Sequence, residues 1–225
     1  MAWTENLRDV EIAPSLYAGD FWRLGEQIEG LLAAGCRIFH FDVGDGHFIP
    51  PVTIGPVVLR SIAERIHAAG GVLDCHLMVT DPAHHFAEIA ASGGDSVTFH
   101  VEVADDARRV AAAARDHGLA VGVAFNPQTS PERAAEAVAA AQADLALCMS
   151  INPGYSGQSF MPEAVERVAR LAMLVEVPIE VDGGVDATNA RTLAEAGARI
   201  LVAGTAVMAK PEPAAAYRGF VELVR

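Results

Sequence analysis

Short apolar runs alternate with Ala-rich amphipathic stretches along the whole chain. The runs are 11–17 (EIAPSLY), 37–43 (RIFHFDV), 73–79 (LDCHLMV), 96–102 (SVTFHVE), 120–125 (AVGVAF), 145–151 (LALCMSI), 178–182 (PIEVD) and 199–203 (RILVA). Most are continuous and rich in Val, Ile and Phe, as in parallel strands buried on both faces. Between them the apolar spacing becomes helical. Asp20 is placed to cap a first helix, with Phe21, Leu24, Ile28, Leu31 and Leu32 on one face. A second helix is predicted from Gly55 to Ala69, on Val58, Ile62, Ala63 and Ile66. Asp81-Pro82 and Ser130-Pro131 each set a capping residue before a proline. Further helices fit 105–116, 162–175, 186–196 and 213–224, and Gly35, Gly70, Gly118 and Gly197 stand where helices stop.

The junction Ala34-Gly35-Cys36-Arg37-Ile38 returns as Ala196-Gly197-Ala198-Arg199-Ile200, and Ser92-Gly93-Gly94-Asp95-Ser96-Val97 is a third version. The repeat has the length of one βα unit. Eight such units in 225 residues, with no break for a second domain, predict a single (β/α)8 TIM barrel over 1–225. A doubly wound open sheet is the alternative. It is weakened because no Gly-x-Gly-x-x-Gly follows the first strand and no Walker A sequence is present.

Composition narrows the function. The chain has 16 Lys+Arg against 29 Asp+Glu, a formal net charge of −13. A non-specific nucleic-acid binder needs the opposite sign. The chain is 52% hydrophobic and 20% charged, which excludes wholesale disorder. Cys36, Cys75 and Cys148 are odd in number and widely spaced, so neither a disulfide framework nor a zinc knuckle is expected. The segment Met1–Val10 has no apolar core of a signal peptide, and no run reaches the length of a membrane span. A cytoplasmic protein with no nucleic-acid or membrane partner is the expectation.

In a barrel, chemistry gathers at the C-terminal ends of the strands. Strand 2 there reads His40-Phe41-Asp42, and alternation points His40 and Asp42 together while Phe39, Phe41 and Val43 face the helices. Strand 3 carries His76, and strand 7 ends Glu180-Val181-Asp182. Singly, each polar residue has a plainer reading: a hydrogen-bonded core histidine or a turn-forming aspartate. Jointly, four polar groups in apolar strands need partners, and one divalent metal ion satisfies all four.

Glycines form a second constellation. Asn152-Pro153-Gly154-Tyr155-Ser156-Gly157-Gln158 follows strand 6, Gly183-Gly184 follows Asp182, and Gly204-Thr205 follows strand 8. Any one of these loops is explained as a tight turn; three in succession fit a phosphate held by backbone N–H groups. Met78 and Met149 share the inward parity and serve either packing or substrate contact. His100 reads as structural, His84-His85 as solvent-facing and Cys75 as packing.

These residues resemble the ribulose-phosphate 3-epimerase family. The matching segments are Ile12-Ala13-Pro14-Ser15, His40-Phe41-Asp42-Val43, Asp45-Gly46-His47-Phe48-Ile49-Pro50, His76-Leu77-Met78-Val79, Asn152 to Phe160, Glu180-Val181-Asp182-Gly183-Gly184 and Val202-Ala203-Gly204-Thr205-Ala206. The resemblance implies a metal-dependent epimerase that inverts C3 of a ketose phosphate, interconverting D-ribulose 5-phosphate and D-xylulose 5-phosphate. It implies one divalent metal (Zn²⁺, Fe²⁺, Mn²⁺ or Co²⁺) on His40, Asp42, His76 and Asp182, with Asp42 and Asp182 as the acid/base pair. Ser15 and His76 match substrate contacts; 154–157, Gly183-Gly184 and Gly204-Thr205 match phosphate contacts. Family members are often oligomeric, so a homo-oligomer is expected.

The chain departs from the family pattern at a few places. Ala18 replaces a serine, Ser156 a glycine, Thr205 a serine, and Gly44 a methionine. The loss of a methionine wall at Gly44 suggests a slightly larger or altered sugar pocket, as in the related allulose-6-phosphate 3-epimerases. A barrel that binds a sugar phosphate without turning it over is a third reading, disfavoured by retention of all four ligand residues.

Overall fold

The computed structural model describes residues 3–154 and 157–225. Eight strands form one parallel sheet: β1 Glu11–Pro14, β2 Ile38–Gly44, β3 Val72–Met78, β4 Ser96–His100, β5 Ala120–Phe125, β6 Leu145–Met149, β7 Ile179–Asp182 and β8 Ala198–Ala203. The helices are α1 Leu24–Ala33, α2 Pro56–Ala68, α3 Phe86–Ala91, α4 Ala107–Asp116, α5 Pro131–Ala141, α6 Ala164–Ala172, α7 Ala190–Glu195 and α8 Pro213–Val224. Each strand is followed by its helix, and the neighbour order β1-β8-β7-β6-β5-β4-β3-β2 is that of a (β/α)8 barrel. The ring is nearly closed. Its seam lies between β1 and β2, which are joined by a single parallel bridge, Ser15 with His40. Among the described residues, no helix is long and apolar enough to cross a membrane.

The strands explain both halves of the core. Outward side chains such as Phe39, Phe41, Leu73, Cys75, Val97, Phe99, Val123 and Val181 pack with the helix faces in one large apolar cluster. This is the orientation that alternation predicts for Phe39, Phe41 and Cys75. Inward side chains fall into layers. Ala13, Ile38, Leu145, Ile200 and Val202 pack together as one apolar cluster. Elsewhere the interior is polar, with His40, Asp74, Ser96 and Glu180 all buried. Such groups must find partners inside, and these find one another.

Local signals mostly hold. Ser130 accepts from Arg133 N at 3.2 Å and Asp106 from Arg109 N at 3.1 Å, capping α5 and α4. Gly35, Gly70, Gly118 and Gly197 all have positive φ where helices end. Other expectations are corrected. Asp20 does not cap α1: its carboxylate accepts from Trp22 N at 3.0 Å in a local turn, the helix starts at Leu24, and Phe21 is 49% exposed. Leu59, rather than Val58, is the buried residue in the first turns of α2, though Val58 still packs against the core. Asp81 makes no capping bond; Pro82–His85 is a 3-10 turn leading into α3. Strand 1 stops at Pro14 and strand 4 at His100, because 3-10 turns begin at Leu16 and Val101.

Candidate active site

The C-terminal mouth of the barrel gathers the expected residues. Ser15, Asp42, Met78, Met149, Gly154, Gly157, Asp182, Gly183, Gly184, Gly204 and Thr205 line one cavity, together with Tyr17, Ile151, Val185 and Val202. His40 and His76 lie at its base, wholly buried. Tyr155 and Ser156 lie outside the described residues. Gly184 must be glycine: its φ is +63°, and a Cβ would stand 2.7 Å from the backbone nitrogen of Phe160.

Four side chains from three strands converge. His40 and Asp42 are two residues apart on β2, and register sets Asp42 beside His76 on β3. His76 Nδ1 lies 3.3 Å from Asp42 Oδ1 and 3.7 Å from Asp182 Oδ2. His40 Nε2 is 3.3 Å from Asp42 Oδ1 and 3.4 Å from His76 Nδ1. One donor atom from each of His40, Asp42, His76 and Asp182 falls within 4.8 Å of the other three. Two imidazole nitrogens and two carboxylate oxygens make a mixed set that suits divalent transition metals.

The surroundings ask for positive charge. Below the four lie two more buried carboxyl groups. His40 Nδ1 is 3.1 Å from Glu180 Oε1 and 3.3 Å from Asp74 Oδ2, and Ser96 donates to Asp74 Oδ1 at 2.6 Å. Burial alone would push the His40 imidazole down, but the Asp42 and Glu180 carboxylates outweigh it and hold it well above its usual value. Burial also raises the Glu180 carboxyl, to about 8, helped by the nearby Asp74 charge. Asp42 and Asp182 diverge. Burial opposes ionisation of Asp42, yet His40 and His76 overcome it and depress its pKa. Burial raises Asp182, and the charge of Asp42 raises it further. Four carboxyl groups around two imidazoles, nearly all out of water, form a site that a cation fits.

Several functional neighbours were not singled out from the sequence. Asp74 and Glu180 sit two residues before His76 and Asp182, on the same strand face, and that spacing was the available signal. Thr53 donates from Oγ1 to Asp42 O at 2.6 Å and accepts from Gly44 N at 2.6 Å, pinning the end of β2. Arg167 donates to Met149 O and Asn126 O, each at 2.8 Å, tying the ends of β5 and β6 together. His100, expected to be structural, lies beside His76 with ring centroids 5.0 Å apart.

The expected enlargement at Gly44 is not found. Neither Gly44 nor Ala18 lines the cavity. A Cβ on Gly44 would meet Ile49 Cδ1 at 2.6 Å and Thr53 Cγ2 at 3.0 Å. The space that a methionine would take is filled by these two side chains.

Known proteins share both sequence and fold. Residues 11–208 match the Ribulose-phosphate 3 epimerase family. A ribulose-phosphate 3-epimerase of Escherichia coli strain K12 is 38% identical over 206 residues, covering 89% of this chain and 90% of its own. That of Schizosaccharomyces pombe is 36% identical, covering 90% of this chain and 89% of its own. Among solved structures, KGPDC from Streptococcus mutans superposes with a TM-score of 0.74 at 14% identity, covering 96% of this chain and 98% of its own. A 3-hexulose-6-phosphate synthase superposes at 0.69 with 19% identity, covering 96% of this chain and 99% of its own. These two likenesses concern the barrel alone. The sequence relatives go further, and with them the chain belongs to the ribulose-phosphate 3-epimerase family and is an epimerase.

Proposed function

We propose that the site inverts C3 of a ketose phosphate, interconverting D-ribulose 5-phosphate and D-xylulose 5-phosphate by two-base proton transfer. The observation that carries this is the placement of Asp42 and Asp182. They come from β2 and β7, three strands apart around the ring, and both line the cavity. A substrate carbon between them presents one face to each. One carboxylate takes the C3 proton, the electron pair moves towards the C2 carbonyl oxygen, and the other carboxyl returns a proton to the opposite face. One proton leaves and one arrives, and nothing is oxidised or reduced.

The acidity of a C–H bond beside a carbonyl is low, so the charge that develops on oxygen needs stabilisation. A divalent cation held by His40, Asp42, His76 and Asp182 supplies positive charge next to those oxygens when bound; the donor set admits Zn²⁺, Fe²⁺, Mn²⁺ or Co²⁺. Ser15 holds Asp42 by a hydrogen bond to Oδ2. Met78 and Met149 give the sugar an apolar wall. Backbone N–H groups around Gly154, Gly157, Gly183, Gly184, Gly204 and Thr205 take the phosphate, with Tyr155 and Ser156 assigned to the same loop. The phosphate anchors one end of the substrate while C3 remains open on both faces.

The test is a coupled assay for xylulose 5-phosphate, with solvent deuterium incorporation at C3 read in parallel. Asp42→Asn and Asp182→Asn should each lower turnover by about 10²–10⁴-fold, the range for losing an acid/base group. A near-normal rate in either variant overturns the two-base assignment.

A further inference from the structure

Behind His76, away from the cavity, runs a short chain of hydrogen bonds. His76 Nε2 lies 2.8 Å from His100 Nε2. His100 Nδ1 lies 3.3 Å from Glu102 Oε2. The other oxygen of Glu102 is occupied: Oε1 accepts from Asn126 N at 2.8 Å and from the Thr129 hydroxyl. Neither His100 nor Glu102 lines the cavity. His100 is fully buried and covered by the Phe48 ring at 4.7 Å.

The order of these bonds fixes where each proton sits. Two imidazole nitrogens 2.8 Å apart are joined only if one carries hydrogen and the other a lone pair. Glu102 is held ionised: burial alone would raise its carboxyl, but the bonds from His100, Thr129 and Asn126 bring it down to about 2. An ionised carboxylate only accepts, so the hydrogen of His100 sits on Nδ1. His100 is wholly buried, and its neutral ring, with the hydrogen on Nδ1 facing Glu102, leaves Nε2 as a lone pair. His76 must then carry its hydrogen on Nε2. Its Nδ1 is left as a lone pair, aimed at Asp42, Asp182 and His40 Nε2.

We propose that Glu102, acting through His100, is a positioning residue that sets the tautomer of His76 and so presents Nδ1 as a ligand to a cation. This rests on the cation site of the proposed function, but its first test needs no metal. Nothing about the chain of bonds requires Glu102 to reach the substrate. It acts two hydrogen bonds away, as outer partners of ligating histidines do.

The geometry also specifies a reversing substitution. In Glu102→Gln the amide oxygen stays with the two donors, Asn126 N–H and Thr129 O–H. The NH₂ group then faces His100 Nδ1 and donates to it. His100 carries its hydrogen on Nε2, and His76 is driven to protonate Nδ1, against the cation site.

The experiment is nitrogen-15 NMR of the metal-free protein with labelled histidine, followed by Zn²⁺ titration against a chelator. The wild type should show His76 protonated on Nε2 and His100 on Nδ1. In Glu102→Gln both assignments should reverse, with an unchanged melting temperature and Zn²⁺ affinity about 10–100-fold weaker. Three results overturn the proposal: wild-type His76 protonated on Nδ1, tautomers unmoved in Glu102→Gln, or reversed tautomers with undiminished affinity. The wild-type spectrum decides even if the variant fails to fold. A wild type with the stated tautomers that binds no Zn²⁺ overturns the cation reading, and with it the proposed role of the tautomer.

Discussion

The Ser15 hydroxyl donates to Asp42 Oδ2 at 2.5 Å, across the seam where β1 meets β2. The bond occupies one carboxylate oxygen and leaves Oδ1 to face His40 and His76. A hydrogen bond to a charged group contributes about 1.5–3 kcal/mol. Ser15→Ala should therefore lower turnover by about 10–100-fold with little change in secondary structure. Steady-state kinetics and circular dichroism on the same preparation check this; an unchanged kcat would mean that Asp42 needs no such support.

Chelation should abolish activity. Dialysis against a strong chelator removes the cation, and turnover should return on adding Zn²⁺, Mn²⁺, Co²⁺ or Fe²⁺. Metal analysis of the active protein should approach one ion per chain. Full activity in a verified metal-free sample would remove the cation from the reaction.

Gly44→Met should cost stability rather than alter substrate choice. The new side chain would enter space held by Ile49 and Thr53. Overpacking of this kind costs about 1–3 kcal/mol. Urea denaturation should show a lower midpoint, while the ratio of activities on five- and six-carbon ketose phosphates stays as in the wild type. A changed ratio with unchanged stability would revive a role for Gly44 in the pocket wall.

Asp45 makes stability depend on acidity. Burial alone would raise its carboxyl, but bonds from Thr80 N at 2.8 Å, from His47 N and Phe48 N and from the Thr80 hydroxyl bring it to about 2. A carboxyl depressed on folding stabilises the protein above its unfolded pKa. That contribution is lost as the pH falls from about 4 through about 2. Asp45 is half-buried, so solvent screens the effect to about 1 kcal/mol. Asp45→Asn should lower the melting temperature at pH 7 by a few degrees and differ less from wild type near pH 2. Equal differences at both pH values would count against the linkage.

The cluster of His40, Asp42, His76 and Asp182 was legible in the sequence because its members break apolar strands at positions of one parity. His40, Asp42, His76 and Asp182 could be read that way without knowing which strands touch. Their supports could not. Asp74 and Glu180 come from strands well apart in the ring, and only closure brings both to His40 Nδ1. Glu102 fell inside an expected strand, 96–102. The chain instead turns at Val101–Val103, and that turn lets the carboxylate approach the ring of His100. Asp20 shows the limit from the other side. A capping aspartate and a turn-forming aspartate read alike until the backbone is seen.

The single bridge between Ser15 and His40 bears on how the protein comes into being. Among the described residues, β1 has ladder bonds only to β8, the last strand made. A newborn chain without β8 has, among these contacts, the Ser15–His40 bridge and the Ser15–Asp42 hydrogen bond to hold β1 beside β2. Asp182, on β7, also arrives late. The last strand therefore gives the first its ladder, and a chain truncated before β8 should hold Ser15 against Asp42 less firmly than the full one.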